Sequence, residues 1–140
     1  MPIRRRAAED GSGISAGRGG ERGSAVVDFV LVGGLLTVFF LAVIQLTLVL
    51  HVRNTLIDAA SSGARYGTLA DRTPADARER TEDLIGTALN ADFARDISTS
   101  EVSFQGIRTL EVTVRAPLPV IGLIGPVAAL EVRGHAATPR

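Results

Sequence analysis

The side chains best able to support acid–base or metal chemistry are scattered along this chain. Its two histidines, His51 and His135, lie 84 positions apart, and the adjacent carboxylates Glu82 and Asp83 fall on the charged side of a helical pattern. The sequence contains no cysteine and no HExxH, GxSxG, Walker or GxGxxG motif. It therefore indicates no metal site, activated nucleophile or phosphate-binding loop. We predict no catalysis, no cofactor and no small-molecule substrate.

The most informative ionisable residue is Asp28, which stands just before the uncharged 22-residue segment Phe29–Leu50. Two interpretations of this acid stay open. In the first, the positive end of the helix dipole stabilises the carboxylate at the level of the lipid headgroups. In the second, the carboxylate enters the apolar phase and needs a partner there, as ionisable groups in membranes usually do.

Three polar residues interrupt the apolar segment, namely Thr37, Gln45 and Thr47, and they also have two interpretations. A threonine hydroxyl can bond back to its own helix, and one glutamine costs little. The same groups can instead form hydrogen bonds between helices in the membrane, each worth about 0.6–2 kcal/mol. His51, which follows the segment, is interpreted as an amphipathic ring at the lipid boundary.

The apolar segment is long enough to cross a bilayer, because a helix of this length extends about 33 Å. It exceeds the apolar core of a cleaved secretory signal, and the following residues, HVRNTL, show no small-residue cleavage pattern. Five arginines and three acids give residues 1–23 a net charge of +2. We therefore predict a single pass through the cytoplasmic membrane, with lipid as a partner, the N-terminus cytoplasmic and the C-terminal domain extracytoplasmic.

Composition sets the limits for the rest of the chain. The formal net charge is zero, with 15 basic and 15 acidic residues, so no nucleic-acid partner is indicated. Residues 1–23 are rich in Gly, Ser and Arg, which predicts a basic disordered leader. The roughly 90 residues after Leu50 can form only one small domain.

The helix is predicted to continue beyond the membrane as an amphipathic extension over residues 51–72. Val52, Leu56 and Ala70 fall on one face together with a small-residue stripe, which we define as Ala59, Ala60, Gly63, Ala64 and Gly67. Small side chains allow another backbone to approach closely. Each glycine costs about 1 kcal/mol of helix stability relative to alanine. The helix therefore runs from Ser24 to Ala70 if packing offsets that cost, and otherwise ends near Gly63–Gly67.

Residues 73–140 are predicted to form a small extracytoplasmic α+β domain. Thr73 suits an N-cap and Pro74 the first position of a helix that reaches Leu89, with Ala77, Leu84, Ile85 and Ala88 on its apolar face. Alternation then predicts strands from Ser98 to Phe104 and from Leu110 to Pro117, joined by a turn at Gly106–Arg108. A third short strand is predicted at Leu130–Ala136. The apolar loop Val120–Ala129 is interpreted as a partner surface or as an edge of the core.

The predicted fold class is therefore membrane-anchored α+β. A long N-terminal transmembrane helix, assigned to residues 24–50 within the membrane, extends into a domain with one further helix. A three-stranded antiparallel sheet completes the domain, and its apolar face needs a cover. The extension of the long helix and the second helix are the available covers.

The residues around Asp28 carry a resemblance to known proteins. Gly23–Phe29, GSAVVDF, resembles the processing site of type IV prepilin-like proteins. In that class a short basic leader ends in Gly, a membrane prepilin peptidase cuts after it, and an acid stands at the fifth mature position. The resemblance implies that Gly23 ends the leader, that Ser24 begins the mature protein, and that Asp28 is the fifth residue and serves assembly.

Two longer stretches, ERGSAVVDFVLV and HVRNTLIDAASSGARYGTLA, are similar to the TadE-like family. These proteins are minor pilins or pseudopilins of the tight-adherence (Flp) pilus assembly system. The family usually has Glu at the fifth mature position, where this chain has Asp28, one methylene shorter. The resemblance implies a pilin-like fold and, as partners, the prepilin peptidase, other pilins or pseudopilins, and pilus assembly proteins.

A second hypothesis belongs to a different functional class. The chain would be an uncleaved signal-anchor that holds a small binding or sensory module outside the membrane. The sequence also leaves open whether a pilin of this kind enters the filament or stays in the membrane as an assembly factor.

Overall fold

The computed structural model describes residues 1–3, 18–119 and 129–139 of the chain. Two α-helices, one short 3₁₀ helix and three strands follow one another: α1 (Arg18–Gly67), α2 (Pro74–Ala88), the 3₁₀ helix (Ala91–Ala94), β1 (Asp96–Phe104), β2 (Ile107–Pro117) and β3 (Ala129–Ala137). The strands form one antiparallel sheet in the order β1-β2-β3. This architecture confirms the predicted α+β class with a long N-terminal helix.

The chain separates into two compact units, Met1–Phe40 and Leu41–Arg140. In the first unit α1 begins at Arg18, six residues before the predicted start at Ser24. Glycine content argued against helix there, but extending an existing helix is far cheaper than nucleating one. Glu21 also stands in the first turn, where a carboxylate is favoured. The rest of the predicted disordered leader, residues 4–17, lies outside the described residues.

At its other end α1 stops at Gly67, within the earlier of the two predicted limits. The Thr68 hydroxyl donates a hydrogen bond of 2.8 Å to the carbonyl oxygen of Arg65, and the chain leaves the helix through turns. Ala70 is therefore exposed and does not continue the buried face as predicted.

Helix α2 begins at the predicted N-cap, Thr73, which forms a capping box with Asp76. The Asp76 backbone N–H donates to the Thr73 hydroxyl oxygen at 3.3 Å, and the Asp76 carboxylate accepts from the Thr73 backbone N–H at 2.7 Å. Pro74 occupies the first turn, where its missing N–H is not needed. The helix ends at Ala88, one residue before the predicted end at Leu89, and Asn90 caps the 3₁₀ helix by accepting from the Asp92 N–H at 3.2 Å.

The hairpin between β1 and β2 turns one residue earlier than predicted. Gln105 and Gly106 have φ values of 51° and 78°, and Phe104 pairs directly with Ile107. Two consecutive residues with positive φ are typical of the two-residue turns whose twist matches a hairpin. The predicted turn at Gly106–Arg108 was wrong in its position, because Ile107 and Arg108 belong to β2 and Gln105 takes the first place in the turn.

The core of the second unit lies between α1, α2 and one face of the sheet. The central strand β2 contributes Leu110, Val112, Val114 and Ala116, all at most 2% exposed. On α2, Ala77 and Ile85 are buried as predicted, but Ala88 is exposed and Thr81 is fully buried. Thr81 tolerates burial because its hydroxyl donates to the Ala77 carbonyl at 2.8 Å.

Three glycines allow α1 to touch its neighbours at backbone distance. A Cβ added at Gly63 would lie 2.8 Å from the Ala77 carbonyl oxygen and would overlap the Thr81 hydroxyl. One added at Gly67 would lie 2.8 Å from Leu110 Cδ2. One added at Gly134, in β3, would lie 2.6 Å from the Ala60 carbonyl oxygen. Both α2 and β3 therefore pack directly on α1.

These contacts predict that Gly134→Ala destabilises the fold by about 1–3 kcal/mol, because the new methyl group meets backbone that cannot move aside. Gly63→Ala should act in the same direction. Chemical unfolding of the full chain in detergent, followed by circular dichroism, measures the change.

The matched control is Gly86→Ala in α2, because a Cβ there meets nothing within 4 Å. It should leave stability unchanged or raise it by up to about 1 kcal/mol, since alanine favours helix. Equal effects of Gly134→Ala and Gly86→Ala would contradict the close-packing argument.

Candidate functional site

The predicted processing site lies within α1. Gly23 and Ser24 are both exposed and helical, and a Cβ added at Gly23 meets nothing within 4 Å. The described structure therefore places no obstacle beside this peptide bond. A bond held in a helix must nevertheless open before a peptidase can bind it in an extended form.

Asp28 is exposed on α1, four residues after Ser24. Residues at this spacing share one face of a helix, so the Ser24 backbone and the Asp28 side chain lie one turn apart on the same side. Within the described part of the chain, Asp28 takes part in no ion pair or side-chain hydrogen bond. Both interpretations of this acid remain available.

The first part of α1 is an uncovered apolar rod. Every residue from Gly20 to Ile44 is exposed, including Phe29 at 78% and Leu35 at 71%. Monomeric soluble proteins rarely expose a continuous apolar surface of this size. Among the described residues this is the one helix long and apolar enough to cross a membrane, which makes it a candidate anchor.

The polar residues of the apolar segment are satisfied within the chain. Thr37 donates to the Gly33 carbonyl at 2.8 Å and Thr47 to the Val43 carbonyl at 2.9 Å. Both hydroxyls thus bond back to their own helix, as the first interpretation held. Gln45 follows neither interpretation, because its side-chain amide donates to the carbonyl oxygen of Pro119, beyond the end of β2.

The small-residue stripe is buried in the core of the second unit. Ala60 and Ala64 are fully buried and Ala59 is 5% exposed, while Gly63 and Gly67 are buried against α2. The backbone that approaches this stripe belongs to the same chain. Sequence reasoning missed the partner position Gly134, although an isolated glycine inside a strand pattern often marks such a close approach.

The outer face of the sheet carries a ladder of opposite charges. Arg115 bonds Glu131 at 2.8 Å across β2 and β3, and Arg133 reaches the other oxygen of Glu131 at 2.7 Å. One row further, His135 Nε2 lies 2.7 Å from a carboxylate oxygen of Glu111. These ion pairs make the outer face of the sheet hydrophilic, and each contributes little to the stability of the fold.

The charge ladder shifts the pKa values of its members. Hydrogen bonds from Arg115 and then Arg133 lower the pKa of the Glu131 carboxyl, and the same bonds raise the pKa of both guanidinium groups. On the opposite side of the domain, hydrogen bonds from the Thr73 backbone N–H and hydroxyl lower the pKa of Asp76.

Neither histidine belongs to a metal-binding group in the described residues. No cluster of three or more His, Cys, Asp or Glu side chains occurs there. A concavity of about 270 Å³ opens to solvent at the end of α1 and is lined in part by Arg72, Glu101 and Leu110.

One known protein family matches part of the chain. The model of the family described as TadE-like protein matches residues 23–65, from Gly23 through Asp28 and most of the small-residue stripe. The match covers less than a third of the chain, and it confirms the resemblance seen in the sequence. No curated protein and no solved structure matches the chain.

The lowered pKa values predict loss of stability in acid. A carboxyl whose pKa is lower in the folded state stabilises the fold above its ordinary pKa, which is 3.8 for Asp76 and 4.5 for Glu131. That contribution disappears as the pH falls through the lowered value. We expect the thermal midpoint of the full chain in detergent to fall below about pH 4.

Asp76→Asn and Glu131→Gln should each flatten this acid decline, because they remove a proton-binding group. Glu79→Gln is the control, since Glu79 is exposed and makes no hydrogen bond or ion pair in the described structure. An identical acid profile in all three variants and the unmodified chain would rule the explanation out.

Proposed function

We propose that this chain, TadE-like over residues 23–65, is a minor pilin or pseudopilin that takes part in tight-adherence (Flp) pilus assembly or secretion. The family match supports a role associated with the Tad pilus in general. The observation that carries the finer proposal is the coincidence of the matched region with α1. The match starts at the glycine of the processing pattern and ends where α1 is packed into the domain.

In this proposal the chain inserts with its N-terminus in the cytoplasm and is trimmed by a prepilin peptidase between Gly23 and Ser24. The leader carries a net charge of +2, and its removal leaves a mature chain with a net charge of −2. The exposed apolar rod stays on the mature protein, anchored in the cytoplasmic membrane, with the C-terminal domain outside.

Asp28 then has an electrostatic partner. Cleavage creates an α-amino group at Ser24, and the carboxylate of a neighbouring subunit can meet it in a bundle of apolar helices. In a medium of low dielectric constant a paired charge is strongly favoured over an unpaired one. The pair would set the axial register of neighbouring helices.

Contacts with other pilins or assembly proteins must use surfaces that the fold leaves free. The small-residue stripe is already covered by α2 and β3, so it positions the domain on its own helix. The apolar rod remains uncovered and can exchange lipid for neighbouring helices. Assembly is therefore proposed to proceed through the residues around and after Asp28.

A second candidate function is an uncleaved signal-anchor carrying a binding or sensory module. The observation that favours it is the helical conformation of Gly23 and Ser24, which keeps the bond between them out of an extended form. The processing experiment separates the two proposals.

Replacing Gly23 with leucine should leave the longer precursor in cells that contain the prepilin peptidase, because the bulky side chain blocks the position before the cut. Intact-mass analysis of the purified protein distinguishes a chain beginning at Met1 from one beginning at Ser24. Gly20→Leu is the matched control, since a Cβ at either glycine meets nothing within 4 Å. If the unmodified protein in these cells is found only as Met1–Arg140, the processing proposal fails.

Replacing Asp28 with alanine should abolish assembly while leaving cleavage intact. The variant removes the carboxylate that pairs with the Ser24 α-amino group of a neighbouring subunit. Asp28→Glu, which keeps the charge, should retain assembly. Cross-linking between subunits in membranes and counting of surface pili measure assembly, and intact mass measures cleavage. Normal piliation in the Asp28→Ala strain would contradict the assigned role.

A further inference from the structure

The globular part of the second unit begins to cover α1 at Gln45. Leu41–Ile44 are exposed, whereas Gln45, Leu48 and Val49 are half-buried. Gln45 is tied to the Pro119 carbonyl oxygen by a hydrogen bond, and Leu48 packs against the core. Protein contacts on α1 therefore start before the predicted end of the membrane segment at Leu50.

The end of the sheet near this contact is apolar. The register places Pro117 opposite Ala129 and Ala116 opposite Leu130, and Leu118 and Pro119 follow directly. We call this set the sheet base: Pro117–Pro119, Ala129 and Leu130. It contains no charged residue. The first charges beyond it, Arg115 and Glu131, neutralise each other.

We propose that the sheet base, together with Gln45–Val49 of α1, is a lipid-contact surface that rests on the headgroup layer of the bilayer. The hydrocarbon then ends at Ile44 rather than at Leu50. The inference rests on the membrane insertion assumed in the proposed function, but not on cleavage or on pilus assembly.

The length of α1 fits this boundary. Twenty helical residues that end at Ile44 begin at Ala25 and span about 30 Å, which is the thickness of the hydrocarbon core. Gln45 then lies in the headgroup layer, just outside the hydrocarbon, where its polar amide is favoured. Its hydrogen bond to Pro119 places the sheet base at the same depth in the bilayer. Asp28 falls about one helical turn inside the other edge of the hydrocarbon.

Two exposed side chains on α1 can interact with lipid headgroups. His51 and Arg53 are both exposed. Side chains of a helix tilt toward its N-terminus, which for these residues is the direction of the bilayer. An arginine can extend its apolar stem along the helix and place its guanidinium at the lipid phosphates.

Single-cysteine variants test the boundary cleanly, because the chain has no cysteine of its own. The full chain is reconstituted in vesicles of phosphatidylethanolamine and phosphatidylglycerol, with a bimane fluorophore on one cysteine at a time. The five sites are Leu36→Cys, Ile44→Cys, Leu50→Cys, Leu118→Cys and Phe104→Cys. Fluorescence is compared in vesicles whose lipids carry a spin-label quencher either on the headgroup or deep in the acyl chain.

The proposal expects Leu36→Cys to lose most fluorescence with the deep quencher and Ile44→Cys to respond to both. Leu50→Cys and Leu118→Cys should lose fluorescence only with the headgroup quencher. Phe104→Cys is the control, because it lies at the opposite end of β1, about 30 Å along the strand from the sheet base, and should respond to neither.

Three results would overturn the proposal. Deep quenching at Leu50→Cys would place the hydrocarbon boundary where the sequence pattern alone put it. No quenching at Leu118→Cys would mean that water or a protein partner, rather than lipid, meets the sheet base. No quenching at any site, Leu36→Cys included, would remove the membrane anchor itself and the proposed function with it.

Discussion

The fold of the second unit depends on one constraint, which is the direct approach of backbone to backbone along α1. A small three-stranded sheet is stabilised by burying its apolar face against a helix. Here β3 meets α1 where Gly134 faces the peptide between Ala60 and Ser61, and α2 meets it where Thr81 faces Gly63. Without side chains in the way, the helix can seal a core made mostly of alanine and valine. The chain offers no disulfide to replace that packing.

The composition and the exposure of α1 change along its length. From Gly20 to Ile44 its side chains are exposed on all sides, and the few polar ones, such as Thr37, bond back to the helix. From Val52 onward one apolar face of α1 is buried, whereas Arg53 and Asp58 remain exposed. The TadE-like match falls on this element, so the family resemblance and the packing concern the same residues.

Much of this architecture follows from local chemistry that a sequence displays. Thr73, Pro74 and Asp76 specify the start of α2, because capping depends on residues within one turn. Features that depend on distant residues were not predictable. The polar side chain of Thr81 suggests a surface position, but its hydroxyl bonds the Ala77 carbonyl and lies against Gly63 in the core. Gln105 has a positive φ in the turn that joins the paired strands β1 and β2. Of the candidate site, the sequence indicates the uncovered rod and the position of Asp28 on it, whereas the contact that Gln45 makes with Pro119 depends on a residue 74 positions away.

The charge ladder has a consequence for solubility. β3 is an edge strand, and an edge with unpaired backbone groups is a template for aggregation when many copies of a chain are concentrated together. Glu131, Arg133 and His135 project from the outer face of that edge, spaced by small or apolar residues that face the helix. A second copy that tried to extend the sheet would have to bring these charged side chains alongside its own and give up their existing ion pairs. The charged outer face thus disfavours growth of the sheet along the β3 edge.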